Sequence, residues 1–237
     1  LECNNSIVSI EDIVSEITID CEFAVALGLF LAEGDKKTKK KIAFSNTSLP
    51  IIKYFKGFLT DELGVKKSEL RAYVYLPPNK RKIDYANELG IAEDRIRFYE
   101  NKKSKSPCVI LSAYGWFYKK ILDASITLIE TNLTEELAKA LVSGVVCGDG
   151  SISFSPKRKY YEICVALGRK EADMTERALE KIGVDYKERI VKNSGLVLIL
   201  IHKKKNFQKL LEANAFKFFD EKTLLLAQAI NHYTYSR

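Results

Sequence analysis

At 237 residues, with 46% apolar and 11% aromatic side chains, the chain can build one large domain or two modest ones around a real core, which excludes a disordered tail. Its 38 basic against 31 acidic residues give a net charge of +7 and a pI of about 9.0, pointing toward a polyanion such as nucleic acid. Five cysteines without a Cys-x-x-Cys pair, and two histidines, argue against a zinc site or a disulfide framework. With no basic-then-apolar leader and no apolar run of about 18 residues, a soluble, cytoplasmic protein is expected.

In chain order, Asp20 is a plausible N-cap for a helix over 21–32, with Glu22 in its first turn. A strand over 41–46 follows, then an amphipathic helix over 49–64 with Pro50 in its first turn and Gly64 as its C-cap. "LRAYVYL" (70–76) alternates with period two, "CVILS" (108–112) is a second apolar strand, and 113–122 returns to helix. "DASITLIETNLT" (123–134) has the polar character of a linker. The second half replays the order: helix 134–147, strands 151–155 and 160–167, helix 170–182, a hairpin turning at Asn193–Gly195, and helix 203–216. The chain is therefore read as α+β, built from an αββαββα unit used twice, with halves at 1–126 and 127–237. Basic "KKSK" starts 69 residues after Glu33, while "HKKK" starts 53 after Asp149, so the first half carries an insertion of about 16 residues near 77–96. Its "DYANELG" reads as an extra short helix.

Two helices end oddly. "ALGLFLAEGD" (26–35) is apolar until it delivers Glu33 to its C-terminus, and "LVSGVVCGDGS" (141–151) does the same with Asp149, 116 residues later (149 − 33). A helix C-terminus carries roughly half a negative charge, so an acid there is unfavourable. Taken singly, each is an exposed acid at a helix-ending turn. Together they share a second feature: Ala24, Gly28 and Ala32 in one helix, and Ala140, Gly144 and Gly148 in the other, recur every four residues and form a stripe without bulk. If the stripes meet, Glu33 and Asp149 converge, and a divalent cation resolves the conflict of charge. Carboxylates and helix-end carbonyls are hard ligands suited to Mg²⁺, which assists phosphodiester hydrolysis.

These two segments resemble the paired motifs of the LAGLIDADG homing endonucleases, in the single-chain, two-repeat form common among archaeal introns and inteins. The resemblance covers nearly the whole chain. It implies two pseudo-symmetric αββαββα repeats, a saddle of antiparallel sheets straddling DNA, and the motif helices as a central seam. It further implies a site-specific double-strand DNA endonuclease that leaves short 3′ overhangs, a monomer acting on a long asymmetric site. Glu33 and Asp149 would bind Mg²⁺ with the carbonyls of Ala32 and Gly148, Mn²⁺ or Ca²⁺ being able to substitute for binding. The motif's earlier acid is replaced by Leu31 in one copy and Cys147 in the other. Central polar or basic residues are expected at Asn46 and Arg169 on counting along the strands, and at Lys217.

Lysine runs follow each motif: Lys36, Lys37, Lys39 and Lys41 in the first half, Lys157, Arg158 and Lys159 in the second. A charge run alone is usually a solvated face; its repetition favours phosphate contacts. In 70–76 the even positions should point inward, leaving Arg71, Tyr73 and Tyr75 on the open side, and Lys187 and Arg189 hold the same relation to the second hairpin. His202 and His232 have no partner identifiable from the sequence. The alternative is a non-catalytic nucleic-acid-binding protein on the same scaffold, such as an intron RNA maturase or a regulator, with RNA as partner. A nuclease portion of an intein is a third reading.

Overall fold

The computed structural model describes residues 2–3, 6–7, 18–78, 83–157 and 159–235. Strands β1 (Glu2–Cys3) and β2 (Ser6–Ile7) pair with each other. Helix α1 (Cys21–Glu33) starts where its N-cap predicts: the Asp20 carboxylate accepts the Phe23 N–H at 2.8 Å. Contacts divide the chain into two compact units, Leu1–Ile19 with Asp35–Leu122, and Asp20–Gly34 with Asp123–Arg237. Helix α1 thus belongs, by its packing, with the second.

In the first unit β3 (Lys41–Asn46) leads into α2 (Leu49–Gly57), which continues as a π-helical turn over Phe58–Glu62 and ends before Gly64, at φ +65°. Then come β4 (Leu70–Leu76), the short helix α3 (Tyr85–Leu89) expected within the insertion, β5 (Ile96–Glu100) and β6 (Cys108–Tyr114). The sheet order is β3-β6-β4-β5; β6 is antiparallel to both neighbours, whereas β5 lies parallel to β4. The alternation read from the sequence is present: Leu70, Ala72, Val74 and Leu76 are buried, and the odd positions are open or half-open. The buried face carries Phe44, stacked on Phe55 of α2 with ring centroids 4.0 Å apart.

Helix α4 (Trp116–Thr131) corrects the expected linker. Its hydroxyls do not compete with the helix but bond back along it, Thr127 Oγ1 to Asp123 O at 3.2 Å and Thr131 Oγ1 to Thr127 O at 3.1 Å. Near its start, the Tyr118 phenol donates to Glu69 at 2.8 Å, and burial followed by that carboxylate pushes its pKa far above 10. The folded state therefore holds this proton more tightly than the unfolded chain. The stabilisation is complete below pH 10 and is lost as pH rises beyond it. Tyr118→Phe should flatten the loss of stability between pH 10 and 11.5 in urea titrations; an unchanged slope would reject the assignment.

In the second unit α5 (Glu135–Asp149) is followed by β7 (Ser151–Ser155), β8 (Tyr160–Leu167), α6 (Arg169–Lys181), β9 (Lys187–Ile190) and β10 (Val197–Ile201). Its sheet, β7-β8-β10-β9, is wholly antiparallel. The expected helix over 203–216 is shorter, α7 (Lys204–Glu212), because Asn214 and Phe216 adopt positive φ (56° and 67°). A further helix, α8 (Asp220–Tyr235), then begins that the sequence reading lacked. Matched by chain position, β3, β4 and β6 correspond to β8, β9 and β10. The first sheet lacks a counterpart of β7 and gains β5 on the opposite edge. Among the described residues no helix is long and apolar enough to cross a membrane.

Candidate functional site

The seam of the second unit is the contact of α1 with α5. A Cβ on Gly28 would overlap Leu141 O and sit 2.9 Å from Val145 N and 3.0 Å from the Gly144 Cα; one on Gly144 would overlap Val25 O and sit 2.9 Å from Leu29 N. The two backbones touch, and only glycine permits it. Four residues on, a Cβ on Gly148 would overlap the Ala32 methyl and lie 3.3 Å from Glu33 Cγ. Gly28 meets Gly144 and Ala32 meets Gly148, so the same 116-residue offset runs through the seam, a local twofold relation. Both helices run the same way, and Glu33 lies against the residue preceding Asp149.

Each helix ends alike: Gly34 N–H donates to Phe30 O and Gly150 N–H to Val146 O, both at 2.9 Å. The two helix C-termini therefore lie together, with Glu33 Cγ against Gly148, the residue before Asp149, and a cation is favoured at such an end. The donors present, the carboxylates of Glu33 and Asp149 with the helix-end carbonyls of Ala32 and Gly148, are all hard oxygen. That set fits Mg²⁺, which binds through one or two carboxylates and keeps its waters. Among the described residues no three His, Cys, Asp or Glu side chains gather, so a site rich in protein ligands is not built here.

One protein cation does stand at this end. Lys222, half-buried on α8, donates to Gly150 O at 2.8 Å and lies 4.4 Å from the centre of the Phe219 ring. Burial pulls its pKa down, opposed by Cys147, Asp149 and Glu33. Its position depends on the turn before α8. Ser143 Oγ of α5 holds Asn214 O at 2.9 Å, and Thr223 Oγ1 holds the O of fully buried Phe216 at 3.2 Å. Lys222→Met should leave the acids without this counter-charge, lowering the melting temperature in EDTA by about 3–8 °C, with Mg²⁺ restoring most of it. A melting temperature unchanged in EDTA would remove Lys222 from the site.

The three central residues expected from the sequence have other partners. Lys217 meets Glu22 Oε2 at 3.2 Å, in the first turn of α1, while its backbone lies beside Cys147 near the end of α5. Arg169 is held by Glu188 at 2.8 Å, Asp173 at 2.7 Å and Glu176 at 3.2 Å, which raise its pKa further and neutralise its charge within α6 and β9. Asn46 shares the buried face of its sheet with Phe44, is 7% exposed, and its Oδ1 accepts the Ser48 N–H at 2.8 Å before α2. It organises a helix start. Lys222 was missed because α8 was missed, and with it the only frame that could place the residue.

Of the residues expected at DNA, Lys36, Lys37 and Lys39 are exposed in the bend leaving α1, shaped by Asp35. The Asp35 carboxylate accepts from Thr38 Oγ1 and from the Lys37 N–H at 2.9 Å, and these bonds lower its pKa. Lys41 lies 5.4 Å from the Tyr114 ring centre and Arg71 5.0 Å. Tyr73 OH is 3.0 Å from Tyr114 OH, and Tyr75 stacks on Tyr99 at 5.2 Å. Lys157 and Lys159 are exposed between β7 and β8, Arg158 lies outside the described residues, and Lys187 and Arg189 are exposed on β9.

Known folds match this arrangement. Full-length DUF199/WhiA from Thermatoga maritima superimposes with a TM-score of 0.55 at 17% identity, over 94% of this chain and 63% of that one, so the chain spans under two thirds of WhiA's length. I-DmoI in complex with DNA and Mn matches at TM-score 0.50 and 14% identity, over 79% and 93% of the two chains. Mesophilic variants of the homing endonuclease I-DmoI match at 0.52 and 14%, over 83% and 96%. No protein-family model matches the sequence. No curated protein matches it either. The fold is the α+β LAGLIDADG fold.

Proposed function

We propose that the protein is a divalent-metal-dependent endonuclease that cuts a specific double-stranded DNA site. The observation that carries this reading is the crossing of α1 and α5, which sets Glu33 against Gly148 and hence beside Asp149. The I-DmoI structure with DNA and Mn supports both the partner and the class of metal. Glu33 and Asp149, with the carbonyls of Ala32 and Gly148, would hold Mg²⁺, which supplies charge stabilisation at phosphorus and activates the attacking water. Lys222 takes the place of Lys217 and Arg169 as the basic residue beside the acids, opposing the negative charge that develops at the scissile phosphate. The exposed lysines 36, 37, 39, 157 and 159 hold phosphates, Arg71, Tyr73 and Tyr75 face the groove, and Lys187 and Arg189 contact DNA from the second hairpin.

The repeats are taken as 1–126 and 127–237, although the compact units are drawn differently because the helix opening the first repeat packs against the second. The protein acts as a monomer inside the cell, on a long asymmetric site. The test is incubation of the full chain with a random-site plasmid library and Mg²⁺, followed by sequencing of linear products. Defined ends with short 3′ overhangs are expected. A second reading, a non-catalytic DNA- or RNA-binding protein, is favoured by one observation: a protein cation, Lys222, is already held at this helix end, on Gly150 O at 2.8 Å. Selective, metal-independent binding without any cut product in the library would establish it.

A further inference from the structure

The two sheets present open faces of different chemistry. In the first unit, β5 adds a strand beyond β4, with Arg97 in register with Tyr73 and Tyr99 with Tyr75, so the added residues share the side of the outward β4 residues. No strand lies beyond β9 in the second unit among the described residues. Neighbouring strands lie about 4.8 Å apart, so β5 widens the open face by that amount.

What β5 adds is ordered. Tyr99 packs on Tyr75 and lies 6.4 Å from Tyr73, which is bonded to Tyr114, which in turn lies under Arg71. These contacts limit the rotamers open to the aromatic side chains before any ligand arrives. At the edge a notch of about 200 Å³ is lined by Arg71, Tyr73, Asp94, Arg95 and Arg97, three guanidiniums to one carboxylate. Asp94 lies 3.7 Å from Arg95 Nε, whereas among the described residues Arg71 and Arg97 have no carboxylate partner. A guanidinium left uncompensated beside aromatic rings is suited to the paired acceptors on the major-groove edge of guanine.

The second sheet offers less of this: among the described residues its open face holds one ring pair, Tyr160 edge-on to His202 at 5.3 Å. Along its open face, in register, run Ser151, Cys164, Leu200 and Lys187, and beside them Ala166, Leu198 and Arg189. On the same face Glu162 lies 3.4 Å from His202 Nε2. Among the described residues the strand cations of this face are Lys187 and Arg189 of β9, and no ring packs against either to order it, which suits them to phosphate rather than to base edges.

We propose that base discrimination is concentrated in the half-site held by the first unit, with Arg97 and Tyr99 of the inserted strand, together with Arg71, as its specificity determinants for guanine-rich sequence. The second unit holds its half-site chiefly through phosphates. This rests on the reading that the protein grips duplex DNA by its open sheet faces.

The test is selection from a random duplex pool by the full chain in Ca²⁺, for the wild type, Arg97→Ala, Tyr99→Ala and Lys187→Ala. The wild-type motif should be lopsided, with one half richer in preferred base pairs. Arg97→Ala should erase preference at one or two pairs within that half and weaken the preferred duplex roughly 5–100-fold, while changing non-specific binding little. Lys187→Ala should weaken all duplexes alike and lower the salt slope by about one. A motif equally informative in both halves, or one that Arg97→Ala and Tyr99→Ala leave unchanged, overturns the inference while the proposed function stands. A pool from which nothing is retained overturns the proposed function and this inference with it. Unchanged melting temperatures of these exposed-edge variants would show that the fold is kept.

Discussion

Glu33→Gln and Asp149→Asn should each lower double-strand cleavage about 10³-fold, because each removes a carboxylate worth several kcal/mol of metal-assisted transition-state stabilisation. DNA binding measured in Ca²⁺ should fall far less, since phosphate contacts from the exposed lysines supply most of it. A second readout needs no DNA. The two carboxylates stand at two helix C-termini, so neutralising either relieves repulsion. Each variant should therefore melt higher than the wild type in EDTA, and the rise on adding Mg²⁺ should shrink. Cleavage at wild-type rates by both variants would remove these acids from the chemistry; binding without cleavage by the wild type itself would select the non-catalytic reading.

Gly144→Ala is expected to be the most damaging single methyl in the protein. The added Cβ would overlap Val25 O and sit 2.9 Å from Leu29 N, both backbone atoms of α1, so no side chain can turn aside to make room. Overpacking of this kind costs about 3–4 kcal/mol, partly offset by roughly 1 kcal/mol from the better helix propensity of alanine. The net loss should lower the melting temperature by about 4–12 °C, and cleavage more steeply, because separating the helices also separates Glu33 from Asp149. Gly57→Ala is the contrast. Its Cβ would meet only the Asp61 carboxylate at 3.7 Å, and its φ of −53° is helical, so the same chemical change should leave stability equal or up to about 1 kcal/mol higher. Similar melting shifts for the two variants would mean that the seam does not hold the helices at backbone contact.

Much of this was legible in the sequence where local chemistry and periodicity agree. The small-residue stripes named the seam, since Gly28, Gly144 and Gly148 have no other use inside apolar helices. The period-two alternation of 70–76 assigned each side chain to its face, and Asp20 and Thr134 marked helix starts that the structure places at the same residues. Legibility failed where a residue's partner lies far along the chain. Asn46 was placed by counting along a strand, but strand parity turns it into the core. Lys217 and Lys222 are five residues apart, and nothing local separates them. The break at Asn214 and Phe216 decides which one turns toward Asp149, and non-glycine residues at positive φ leave no mark in composition. The stretch 123–131 failed differently, its hydroxyls reading as helix-breaking when they bond back within the helix.

By itself, then, the sequence determined the pair of acids, the stripes that bring their helices together and the basic character of the surface. These follow from residue type at fixed spacing on a helix or strand. Only the tertiary structure decided which lysine reaches the helix end at Gly150 and which sheet edge carries the inserted strand. Both depend on where the chain returns after a turn, and a single dihedral at Phe216 or the parallel pairing of β5 with β4 redirects every residue that follows.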